Sequence, residues 1–369
     1  MIKRTIFTFI FIAIVIFSNA QIVIKGRVVD SKSDAAIANA SVYLNNTSIG
    51  AITNARGEFI ITTSSIYSGE LIISSIGYQA LSYRLANQDA DKHTYTFKLD
   101  IKENELKDVL IMNDVTREQW LKIFKDNFLG ITEEGDNCKI KNLKAVYFTT
   151  GKDKNTIYAY ADSPLIIVNK MLGYKISFDL IEFSFNKSNN STYFIGYNRY
   201  EELGDKKRWI KRRRENYFGS TMHFYRSLIS DSLKEEGYSI LAVTKRQITD
   251  TLKREKKWEI TKKDTFVTQP ATARTILFSD GTGNYYLKAD GKITVNYNKV
   301  PHTKAYLVNK VFVEGLNHYY GFTAYINLMS DKVGLDKLGI IIDPLQVIYN
   351  GYWVYEKMGN QLPFNYKPD

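Results

Sequence analysis

Four histidines and one cysteine leave little material for a zinc centre, and their spacing narrows it further. A zinc hydrolase needs His and Glu about one helical turn apart or closer, so that both reach one ion. Here the third residue after His93, His223, His302 and His318 is Thr96, Arg226, Ala305 and Gly321, and Glu directly follows none of them. The chain has no Gly-x-Ser-x-Gly elbow and no phosphate loop, and Gly281-Thr282-Gly283 lacks the third glycine of a dinucleotide fingerprint. Ser184-Phe185-Asn186-Lys187 has Ser-x-x-Lys spacing, but it ends a strand-like run instead of opening a helix and has no companion motif. The residues therefore assign no catalytic group, no metal ligand and no cofactor. His223, with nothing local to orient it as a base, is expected to be a hydrogen-bonded, half-buried side chain. Cys138 has no partner for an internal disulfide and is expected to act as a small buried hydrophobe. Catalysis would need distant residues such as Glu201, Glu202, His223 and Asp231 to converge in a cleft, as in a hydrolase acting on an envelope or extracellular polymer.

The conspicuous chemistry is electrostatic. Lys206, Lys207, Arg208, Trp209, Ile210, Lys211, Arg212, Arg213 and Arg214 place seven cations in nine residues, in a chain of formal charge +11. A second stretch holds Lys245, Arg246, Lys253, Arg254, Lys256, Lys257, Lys262 and Lys263. Cations with an interleaved Trp suit a polyanion, whether nucleic acid, an anionic lipid surface or an acidic glycan. The competing expectation places the first cluster on a solvated hairpin or strand edge, where Lys and Arg block edge-to-edge association. If the cluster is exposed, exchanging Arg212, Arg213 and Arg214 for Gln should leave stability almost unchanged, with Trp209 serving as a stacking contact.

What carries these residues is read from the rest of the chain. Lys3 and Arg4, the apolar run Ile6 to Phe17 broken only by Thr8, and Ser18-Asn19-Ala20 have the order of a signal peptide over residues 1–20, cleaved before Gln21. A twelve-residue apolar run is shorter than the roughly 20 residues a bilayer span needs. Export to the periplasm, the outer membrane or the cell surface is expected, with no transmembrane span after cleavage and a mature charge of +9 from 48 cations against 39 acids. Export argues against nucleic acid and leaves an envelope protein, an acidic glycan or an anionic lipid surface as partners. A length of 369 residues implies two or three domains at about 150 residues each, and two once the leader is removed. Abundant Tyr (26) and Phe (20) with 24% charged residues describe an ordered, β-rich protein.

From Gln21 to about Leu99 the pattern has period two, with turn residues every eight to twelve positions, as in a small β-sandwich. Asp114 can cap a helix from Val115 to about Phe128, with Trp120, Leu121, Phe124 and Phe128 on one stripe and Gly130 ending it. Alternation resumes after Lys139, with strands expected over residues 156–161, 174–185, 192–200, 275–278, 285–287 and 293–297, the last two joined as a hairpin by Asp290-Gly291. A second helix is expected from Thr221 to about Lys234, capped by Ser220 and stopped at Gly237.

Particular residues add a resemblance. Gly26-Arg27-Val28-Val29-Asp30, Ala38-Asn39-Ala40-Ser41-Val42, Gly50-Ala51-Ile52-Thr53-Asn54 with Gly57-Glu58-Phe59, and Ser75-Ile76-Gly77-Tyr78 resemble the carboxypeptidase-like regulatory domain family. The resemblance implies a transthyretin-like seven-stranded sandwich of the Gram-negative, Bacteroidetes-type cell envelope, also found ahead of TonB-dependent receptors, and an interaction or spacer role without catalysis. Ala36-Ile37 replaces the usual Pro-Leu, and Asn54 and Arg56 replace acids in the turn, which speaks against metal binding there. Glu105 to Ile111 resembles the short strand that follows this domain in receptors. Residues including Phe128-Leu129-Gly130, Pro164 to Ile176, Gly219-Ser220 with His223-Phe224, and Gly351-Tyr352-Trp353 resemble a region that accompanies the regulatory domain in exported bacterial proteins and carries no known activity. The expected fold is mainly β: a signal peptide (1–20), the sandwich (21–100), a linker strand and helix (101–135) and a larger β-rich domain with a few helices (136–369).

Overall fold

The computed structural model describes residues 21–67, 69–85, 93–102, 114–254, 257–281, 283–299, 306 and 321–368. The leader, the receptor-like strand at 105–111, Lys256, His302 and His318 lie outside the described residues. The chain divides into two units, the first comprising residues 1–106 with Tyr197–Tyr200 and the second the remainder.

The first unit is a two-layer β-sandwich. Its strands are β1 (Ile22–Asp30), β2 (Ser41–Leu44), β3 (Gly50–Ile52), β4 (Glu58–Thr63), β5 (Glu70–Ser74), β6 (Leu81–Arg84) and β7 (Thr94–Leu99). One sheet has the order β4-β1-β7 and the other β3-β2-β5-β6. Alternation sends Phe59, Ile61 and Thr63 of β4 inward and Glu58, Ile60 and Thr62 outward. Ile24, Val28, Val42, Leu71, Ile73 and Phe97 complete the buried interior. Gly26 permits a close approach between strands, since a Cβ there would lie 2.4 Å from the Tyr95 carbonyl oxygen. The replaced turn still closes: Asn54 Oδ1 accepts the N–H groups of Arg56 at 2.9 Å and Glu58 at 3.0 Å.

The second unit continues with helix α1 (Asp114–Phe128), the short α2 (Glu133–Asp136), and strands β8 (Cys138–Ile140), β9 (Val146–Thr150), β10 (Thr156–Ala161), β11 (Leu165–Asn169), β12 (Tyr174–Asn186) and β13 (Ser191–Glu202), the last apart from Tyr197–Tyr200. The order is β8-β11-β12-β10-β9, with β13 paired to β12. Phe124 and Phe128 of α1 contact Phe183 and Phe178, each with ring centroids 4.9 Å apart. Burying such a ring contributes about 1.5–3 kcal/mol, so the helix expected inside a linker is a core element of this unit.

Next come α3 (Lys207–Tyr217), α4 (Thr221–Ile229), β14 (Tyr238–Arg254), β15 (Lys257–Ala271), α5 (Ala273–Ile276), β16 (Leu277–Ser279), β17 (Tyr285–Leu287), β18 (Lys292–Tyr297), β19 (Phe322–Leu328), β20 (Val333–Leu335) and β21 (Val347–Gly351). These strands form sheets of order β15-β14-β18-β19-β21 and β16-β17-β20. Phe224 and Leu228 of α4 join Ile240, Val295, Ile326 and Trp353 in one buried cluster. Among the described residues, no helix is long and apolar enough to cross a membrane.

Several local expectations are corrected. Asp290-Gly291 is not a hairpin turn, because β17 and β18 belong to different sheets; the Asp290 carboxylate instead accepts the Lys245 N–H at 2.6 Å. The second helix ends at Ile229 rather than near Lys234. Ser230 Oγ and Ser232 Oγ donate to the carbonyls of Arg226 (2.9 Å) and Ser227 (3.4 Å), and Asp231 turns the chain with φ 55°. The expected strand 275–278 opens inside α5, where Thr272 and Thr275 form a capping box. The second basic stretch lies on a long hairpin whose register runs from Ile240↔Ala271 to Arg254↔Lys257.

Candidate functional site

The basic cluster forms a helix, not a hairpin or a strand edge. Lys, Arg, Ile and Glu are adequate helix formers, and α3 runs for 11 residues. Positions four apart share a helix face, so Trp209, Arg213 and Tyr217 point together and are the buried residues of α3. They dock beside the loop joining β11 to β12. Trp209, 6% exposed, donates its indole N–H to the Lys170 carbonyl at 2.9 Å. Arg213, 5% exposed, donates to the carbonyls of Leu172 (2.8 Å) and Gly173 (3.0 Å) and to Glu202 Oε2 (2.8 Å), and its guanidinium lies 4.0 Å over the Tyr174 ring. The loop is itself held by buried Asn169, whose Oδ1 accepts the N–H groups of Met171 (3.1 Å) and Leu172 (2.9 Å).

Two of the eight predicted polyanion contacts, Trp209 and Arg213, are thus part of the packing. Arg212 is half-buried, 3.3 Å from Glu133 Oε1 and 3.8 Å from Glu134 Oε1. The triple Gln exchange of Arg212, Arg213 and Arg214 would therefore strip structural bonds and is not the neutral change expected. Lys206, Lys207, Arg208, Lys211 and Arg214 are exposed. Lys206 and Arg208 sit 4.7 and 5.5 Å from the Trp209 ring centroid. Lys211 lies 3.8 Å from Glu215, and among the described residues Lys207, Arg208 and Arg214 make no ion pair. The first turn of α3 contains no acid, and Lys206 supplies no capping acceptor. Cations there oppose the helix dipole, at roughly 0.3–1 kcal/mol each.

The residues proposed for hydrolysis are not brought together. Glu201 pairs with Lys175 (2.8 Å), Glu202 with Arg213 (2.8 Å), and Asp231 with Arg274 (3.2 Å). His223 belongs to a separate relay: Tyr238 OH lies 2.9 Å from Nδ1, and Nε2 lies 3.1 Å from Glu236 Oε2. Nδ1 also accepts the Gly219 N–H at 3.1 Å, which puts the ring proton on Nε2, facing Glu236. The order hydroxyl, imidazole, carboxylate resembles an activated nucleophile. Tyr238, however, is buried against Tyr297, and that burial holds its hydroxyl well above the ordinary tyrosine range, so the hydroxyl end of the relay is protonated and faces the core. Burial also lowers the His223 pKa, with Glu236 opposing in part. His223 is more deeply buried than expected, and Glu236 and Tyr238, thirteen and fifteen residues away, have no local spacing that signals the relay.

Cys138 is half-buried, and burial, aided by the charge of Glu134, pushes its thiol up to about 12. Among the described residues, no group of three or more His, Cys, Asp and Glu is placed to share a metal ion.

The family model described as CarboxypepD_reg-like domain matches residues 24–111. Among curated proteins, none matches the chain. The matched segment contains the β-sandwich, a non-catalytic type of module. With that match and the observed strand order, residues 24–111 are assigned a CarboxypepD_reg-like domain, and a larger β-rich unit follows the sandwich.

Proposed function

We propose that the chain is an exported envelope protein that binds a polyanion without catalysis, with the sandwich as an interaction or spacer module. The carrying observation is the division of α3 into two faces. Trp209, Arg213 and Tyr217 fix one face in the unit, and Lys207, Arg208, Lys211 and Arg214, with Lys206 at the cap, are held on or beside the other. This surface is strongly cationic, and Lys207 and Arg208, in the first turn, oppose the helix dipole, so an anionic partner would relieve it. Export rests on Lys3, Arg4, the run Ile6 to Phe17 and the small residues before Gln21, and favours an acidic glycan or anionic lipid over nucleic acid.

The test compares wild type with a variant carrying Lys207→Gln, Arg208→Gln, Lys211→Gln and Arg214→Gln, measuring binding to polygalacturonate and to phosphatidylglycerol vesicles at low salt. Binding by wild type to at least one of them and its loss in the variant, with thermal stability kept, supports the reading. Equal binding by the two proteins, or none by either, refutes it.

A further inference from the structure

A cavity of about 330 Å³ opens beside α3 in the second unit, with Glu202, Ile210, Arg213, Asn365, Tyr366 and Lys367 in its lining. That volume is at the small end of the range of about 300–1,000 Å³ usual for ligand pockets, enough for one or two sugar rings but not for a folded partner. The segment that supplies its C-terminal residues is anchored. Arg226 Nη1 donates to the Tyr366 carbonyl at 2.8 Å and Nη2 to the Phe364 carbonyl at 2.9 Å, and the Tyr366 ring packs 5.8 Å from that of Tyr217. The lining is therefore preorganised, which lowers the ordering cost of binding.

Its chemistry is selective. Arg213 and Lys367 carry positive charge and Glu202 negative, a net single positive charge around the cavity. Arg213 uses three of its five donors on Leu172, Gly173 and Glu202. A doubly charged phosphate would face the Glu202 carboxylate, whereas a singly charged carboxylate matches the net charge and leaves Glu202 Oε1 to accept from a hydroxyl. The Tyr366 ring and the half-exposed Ile210 offer apolar surface to the C–H face of a sugar. We propose that this cavity holds one hexuronate unit of an acidic glycan, whose neighbouring units lie along the cationic face of α3. The inference rests on the polyanion reading for that second part only.

The experiment is calorimetric titration of the full chain with galacturonate, glucose, polygalacturonate and phosphatidylglycerol vesicles. Galacturonate should bind wild type and glucose should not. Lys367→Gln should weaken galacturonate binding about tenfold, the effect of losing one charge-assisted hydrogen bond. Ile210→Trp should fill the cavity and abolish binding, and unchanged melting of either variant shows that the fold is kept. The Lys207→Gln, Lys211→Gln pair should weaken polygalacturonate while leaving galacturonate unaffected. No galacturonate binding, or binding that survives both Ile210→Trp and Lys367→Gln, overturns the proposal. If polygalacturonate or vesicle binding is then still lost in the α3 surface variants, the polyanion reading stands without the pocket. Galacturonate binding with polymer binding indifferent to the surface variants leaves the pocket standing and removes the surface.

Discussion

The indole of Trp209 occupies the space that a side chain on Gly173 would need: a Cβ there would lie 2.3 Å from Trp209 Cδ2. Gly173 also has φ 69°, in the left-handed region. Gly173→Ala combines backbone strain of about 1–2 kcal/mol with overpacking of about 1–3 kcal/mol. We expect unfolding free energy from urea titration to fall by a sum in that range. A change within about 0.5 kcal/mol, as at an ordinary surface site, would show that α3 does not dock through this contact.

Arg213 and its exposed neighbours separate stability from binding. Arg213→Ala leaves the carbonyls of Leu172 and Gly173 without their donor and opens space over Tyr174, an expected loss of about 1–3 kcal/mol. Lys207→Gln and Lys211→Gln should each stay within about 0.5 kcal/mol. Denaturant midpoints of the three variants check the contrast.

Glu356 and His223 give stability a pH dependence of opposite sign. Burial raises the Glu356 carboxyl from 4.5 to about 8, against a single N–H donated by Thr221 at 3.3 Å. A raised folded pKa stabilises fully below the unfolded value, and the contribution is lost as pH rises from 4.5 through about 8, on the order of a few kcal/mol. His223 is lowered below 6.5, so its contribution is present above 6.5 and is lost as pH falls through the folded pKa. Glu356→Gln should remove the decline between pH 5 and 8 and keep the acid-side decline. Thermal melts across that range would contradict the assignment by showing the same slope in variant and wild type.

With its thiol raised from 9.0 to about 12, Cys138 holds roughly a thousandfold less thiolate at neutral pH than an unperturbed cysteine. Alkylation by iodoacetamide should be slow in the native chain and rise steeply in urea. Equal rates would mean that the site is open.

The sandwich is legible because its strands alternate cleanly, as Phe59, Ile61 and Thr63 do, and because its turns carry Asn and Gly. The position of α3 is not. Its buried stripe reads Trp209, Arg213, Tyr217, and a periodicity drawn from apolar residues passes over an arginine whose burial depends on two carbonyls and a carboxylate distant in sequence. The β14–β15 hairpin is hidden for a related reason: its Lys, Arg, Thr and Asp residues give no apolar alternation, and pairing with each other supplies the register. Asp290-Gly291 misleads because hairpin chemistry is local, whereas β17 and β18 find partners in separate sheets.

The most direct test of the central claim is the salt dependence of polygalacturonate binding. If the exposed cations of α3 hold the polymer, the logarithm of the association constant should fall linearly with the logarithm of salt concentration, because neutralised charges release counterions. Replacing Lys207, Arg208, Lys211 and Arg214 with Gln should flatten that line and lower affinity at low salt. Binding that does not change with salt, or a slope identical in the two proteins, would contradict the account.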